Sequence, residues 1–93
     1  MAAGSTVDTE SLGQAANALG VYIGEVQDNI QKMRDAATDC SDNMGSDVYS
    51  QKAIAKLGDC IKSLNSTIQE AQALQQTILK KKQQIEESQN AFN

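Results

Sequence analysis

Two cysteines, Cys40 and Cys60, and three closely spaced acids, Asp35, Asp39 and Asp42, have the most chemistry to offer in this chain. The thiols could form a disulfide, bind a soft metal or act as nucleophiles; the carboxylates could hold a hard cation. None of these finds the help it needs. Histidine is absent, and with it the commonest general base and metal ligand. The cysteines do not stand as Cys-x-x-Cys, and two isolated thiolates leave a tetrahedral metal short of ligands. No glycine-rich phosphate loop is present. A solvated acidic helix end accounts for the three aspartates. The expectation is a chain that is not an enzyme, with no catalytic residue, metal or cofactor.

The elements that would have to position any such residues are long helices. From Ile54 to Phe92 the sequence reads in sevens. One row holds Leu57, Leu64, Ala71, Ile78, Ile85 and Phe92. The other holds Ile54, Ile61 and Ile68, then turns polar with Gln75, Lys82 and Gln89. A three-four spacing held this long, interrupted by no proline, predicts a helix of roughly 60 Å with a seam for other helices. Before it, Leu12, Ala15, Leu19, Tyr22, Val26, Ile30, Met33, Ala37 and Cys40 repeat at threes and fours, with a slip at Val26–Ile30 that lets Ile23 share the seam. Asp8 is placed to cap this first helix, with Val7 and Leu12 at the spacing of a hydrophobic staple and Glu10 in the first turn.

Between the two lies Ser41-Asp42-Asn43-Met44-Gly45-Ser46-Asp47, in which every residue but Met44 favours turns or caps. The predicted fold is all-α: an antiparallel two-helix hairpin, helix about 8–40, turn about 41–47, helix about 48–91, with residues 1–6 as a tail and the whole as one domain. Ser46 or Asp47 caps the second helix. A turn centred near Gly45 sets Met33 near Leu57, Ile30 near Cys60 and Ile61, and Leu19 near Ala71. It also keeps Cys40 and Cys60 about 15 Å apart along the axis, too far for a disulfide.

Composition narrows the partners. The 93 residues carry a net charge of −4, which argues against nucleic acid, whose phosphates want a basic stripe. The charge is lopsided. Residues 1–45 hold seven acids against Lys32 and Arg34, while residues 46–93 hold five acids against six lysines, including Lys80, Lys81 and Lys82. Met1 to Thr6 has neither a basic start nor an apolar run, so no cleavable leader is expected, and no segment reaches the length of a membrane span. A thin hairpin of this size favours stability through association, two hairpins making a four-helix bundle. The candidate partner surface comprises a ridge of small residues on the first helix, Gly13, Gly20 and Gly24, together with Leu74, Ile78 and Ile85 on the second.

The whole plan resembles the WXG superfamily, the small early-secretory-antigen-like proteins of bacterial type VII secretion: a capped Val7-Asp8-x-x-x-Leu12 start, a long helix, a mid-chain turn with glycine, a second long helix and a late aromatic. The likeness spans residues 7–92. Where that family carries Trp-x-Gly, this chain has Asn43-Met44-Gly45, matching the glycine but not the tryptophan. The family's export signal, an aromatic followed four residues later by an acid, is matched by Phe92 alone. Lack of the tryptophan makes the chain look like the small companions of larger substrates. The resemblance implies a non-enzymatic targeting partner, chaperone-like, that binds the helical N-terminal region of an LXG-type toxin. A secreted homodimer of the same family is a close variant. It further implies a Gram-positive source and a protein that is cytoplasmic before export. The alternative is a structural coiled-coil module, a tether or a filament subunit of another secretion apparatus.

Overall fold

The computed structural model describes residues 8–44 and 47–91. They form two long helices, α1 (Thr9–Met44) and α2 (Val48–Ala91), that run back along each other as an antiparallel hairpin; there is no strand among the described residues. The molecule measures 68 × 17 × 17 Å with a radius of gyration of 20.8 Å, against about 12 Å for a compact domain of this length. It is one hairpin two helices thick along the described length of α1, with the last turns of α2 running beyond it.

Both helices begin as the sequence dictates. Asp8 accepts the N–H of Glu10 at 2.9 Å and the hydroxyl of Ser11 at 3.1 Å, occupying donors that the first turn cannot satisfy itself. Of the two caps available to α2, Asp47 is the one observed. Its Oδ1 accepts the N–H of Ser50 at 2.9 Å and its Oδ2 the Ser50 hydroxyl at 2.8 Å. Ser50 is the one buried polar residue among those described, at 3% exposure, and the cap is what satisfies its hydroxyl.

The Asp47 cap makes a pH prediction. The backbone N–H of Ser50, and next its hydroxyl, hold the Asp47 carboxyl below the usual carboxylate range; the Tyr49 N–H adds a little and partial desolvation opposes. A carboxyl lowered by folding stabilises fully above its unfolded value, near pH 4, and the gain is lost as pH falls through the lowered folded value. The melting temperature of the wild type should therefore exceed that of Asp47→Ala by its widest margin at neutral pH, and the margin should shrink below about pH 4. A margin that stays constant with pH would show that the charge contributes nothing.

The turn is shorter than expected. Ser41, Asp42, Asn43 and Met44 belong to α1, so that the helix ends at Met44 rather than Cys40. Each such residue costs only a few tenths of a kcal/mol in a helix, roughly, so a small local turn preference does not stop α1 from continuing past Cys40, although Ser41, Asp42 and Asn43 are exposed. Asn43 and Met44 of the turn motif are thus helical; Gly45 lies outside the described residues, as do the tail before Asp8 and the export-signal candidate Phe92.

Met33 lines a hollow with Asp59, Cys60, Ser63 and Leu64. Leu19 still packs on the cluster that contains Ala71. In α2 the two predicted rows face α1: Ile54, Leu57, Ile61, Leu64, Ile68, Ala71, Gln75, Ile78, Lys82 and Ile85 are all buried or half-buried. Gln89 is exposed, beyond the described start of α1.

In α1 the seam is Leu12, Ala16, Leu19, Ile23, Val26, Ile30, Met33, Ala37 and Cys40. Ala15 and Tyr22, expected in it, face out; Tyr22 is 44% exposed and Ile23 only 7%. The expected slip does not occur, because taking Ala16 and Ile23 restores an unbroken three-four alternation that matches α2 layer for layer. The core proper is small: Ile23, Val26, Ile30, Ile68 and Ala71, with Leu19, Ile61 and Leu64 packed against it.

Candidate functional site

The expected cation and thiol chemistry has no assembled site. Asp35, Asp39 and Asp42 lie exposed along the last turns of α1, and Asp35 accepts the Gln31 amide at 3.0 Å. Among the described residues no three potential metal ligands gather. Both cysteines are free thiols, Cys40 half-buried and Cys60 exposed. Cys60 lies beside Met33, seven residues before Cys40, which leaves the two about 10 Å apart along the axis and out of disulfide reach.

The glycine ridge has a use inside the hairpin. Gln75 occupies a seam position, where its amide would be buried without a partner. It donates through Nε2 to the carbonyl of Ala16 at 3.0 Å, the one hydrogen bond that joins the two helices among the described residues. Gly20 leaves the space: a Cβ there would lie 3.1 Å from the same Nε2. One layer further out the Lys82 chain lies over Gly13, 3.3 Å from where a Cβ would be. Its ammonium turns away to Glu86 at 3.0 Å, so the stem fills the seam and the charge stays wet. Gly24 has open space around it. Gly13 and Gly20 therefore have neighbours within the chain, and only Gly24 of the ridge is unaccounted for. Ile78 and Ile85 are half-buried in the seam.

The remaining large apolar groups face solvent. Tyr22 is 44% and Leu74 52% exposed. Each stands one residue before a seam position of the same kind, Ile23 and Gln75, and in an antiparallel pair that puts them on one flank. Cys60, one residue before Ile61, lies on this flank too, in the hollow with Met33 and Leu64. Val21 on the outer side of α1 and Leu79 on the glycine flank are also exposed. Sequence patterning picked out Leu74 but placed Tyr22 in the core; the signal that separates them is the choice between two overlapping apolar alternations, which only the partner helix resolves.

No family model, curated protein or solved structure matches this chain. Among the described residues no helix is long and apolar enough to cross a membrane.

Proposed function

We propose that this hairpin works by binding another helical protein along its Tyr22–Leu74 flank, completing a four-helix bundle. One observation carries the reading: among the described residues no large side chain is fully buried, while Tyr22 and Leu74 stand exposed along one flank. A face 68 Å long and 17 Å wide is ample for the roughly 800 Å² per partner of an ordinary stable interface.

The resemblance to the WXG superfamily supplies the specific form of the proposal. The protein is a chaperone-like targeting partner of a type VII secretion substrate, held in the cytoplasm of a Gram-positive bacterium until it binds the substrate's helical N-terminal region. Export of a homodimer is the variant, with Phe92 as the aromatic of the signal. The test is sedimentation of the purified chain alone and after co-expression with the product of the adjacent gene. A one-to-one complex with a large toxin-like neighbour is expected; a chain that stays monomeric alone and ignores that neighbour removes the targeting role.

The unbroken three-four seam through both helices supports a second reading, a coiled-coil tether or filament subunit of another secretion apparatus. Concentration-dependent growth into open-ended assemblies, rather than a closed dimer, would favour it.

A further inference from the structure

The seam changes character at the hydrogen bond from Gln75 to Ala16. On the turn side lie all the buried apolar residues: Ala16, Ile23, Val26, Ile30, Ile68 and Ala71. On the open side, residues 9–15 of α1 and 76–90 of α2 contain no buried residue. There the seam is closed by half-buried Leu12, Ile78 and Ile85 and by the stem of Lys82 lying on Gly13.

We propose that Gln75 is a latch, and that the two arms beyond it open as a unit while the central hairpin stays closed. Local opening follows regions of few buried apolar contacts; the arms have few, as do 31–43 and 51–67, but those stretches are tied to each other through the chain between α1 and α2. Glycine in α1 at position 13 weakens the helix where it must part from α2. The latch bond lies close against Gly20: a Cβ there would come within 3.1 Å of the Gln75 Nε2, which would have to shift by a few tenths of an ångström. An amide in a seam position also specifies register, since sliding α2 by one layer would carry it away from the Gly20 gap and the Ala16 carbonyl. Opening frees Leu12, Ile78 and Ile85 for a docking helix; that consequence rests on the association proposed above, whereas the opening itself needs no partner.

Hydrogen exchange on the full chain, resolved by residue, tests the latch. Amides of residues 13–18 and 78–90 should be at least about tenfold less protected than those of 23–34 and 61–72, with a step at the latch. Gln75→Ala should lower protection of the arms several-fold further and leave the centre unchanged. Lys82→Leu should raise it by extending the apolar row. Protection should not vary between two protein concentrations, since the event is within one chain. A smooth gradient from the helix ends is ordinary fraying and overturns the proposal. So does a Gln75→Ala variant that loosens the centre equally, a Lys82→Leu variant with unchanged arms, or protection that follows concentration. Failure of partner binding in the sedimentation test would leave these exchange results standing.

Discussion

Ile30→Ala and Ile68→Ala should each destabilise the hairpin by about 2–4 kcal/mol, and the double variant should be largely unfolded at room temperature. Truncating a buried isoleucine removes its transfer energy and leaves a cavity the neighbours only partly fill. The two side chains are 5% and 6% exposed and belong to one cluster of five residues. A domain of this size holds only about 5–14 kcal/mol in total, so two such losses exhaust most of it. Val48→Ala and Tyr49→Ala are the controls: these side chains are 62% and 84% exposed, and their removal should change the melting temperature little. Circular dichroism melts at one fixed protein concentration give the comparison. Equal loss at Ile30 and at Tyr49 would mean that the exposed and buried faces have been exchanged, as they would be by another register.

Tyr22→Glu and Leu74→Glu should weaken association by tenfold or more each, on the order of 1.4 kcal/mol or above, without lowering helicity. Aromatic and leucine side chains at the centre of a helical interface lose their burial, and a carboxylate there must be desolvated without a partner. Neither residue is in the core of the isolated hairpin, so the far-ultraviolet spectrum should hold. Gly24→Leu distinguishes the two flanks. It places a branched side chain into open space on the glycine side, so it should leave association intact if the Tyr22 flank is the contact. Loss of binding in Gly24→Leu but not in Leu74→Glu would move the interface to the ridge. Gly20→Leu is less informative, because its side chain meets Gln75 first and disturbs the hairpin before any partner.

The expected polar row in α2 and the observed seam of α1 explain each other. Gln75 and Lys82 look like defects in an apolar stripe when read along α2 alone. Beside Ala16, Gly20 and Gly13 they become large side chains set against small ones. The glycines, read alone, suggest an outside helix; in the hairpin, two of the three are filled from within. A long polar residue in one helix and a glycine in the other are each ambiguous, and only their pairing assigns them.

The sequence by itself determined the all-α hairpin, the seam rows of α2 and the Asp8 cap, and narrowed the second cap to Ser46 or Asp47. These depend on local periodicity and on side chains reaching their own backbone, which a single stretch of chain contains in full. The packed structure decided where α1 ends and which of two overlapping alternations in α1 faces inward. Ala15 and Tyr22 compete with Ala16 and Ile23 on equal local terms, and the contest is settled by what α2 presents at each layer. The same holds for the turn. Ser41, Asp42 and Asn43 prefer to leave a helix by only a few tenths of a kcal/mol each, roughly, too small a preference for the sequence alone to place the end of α1.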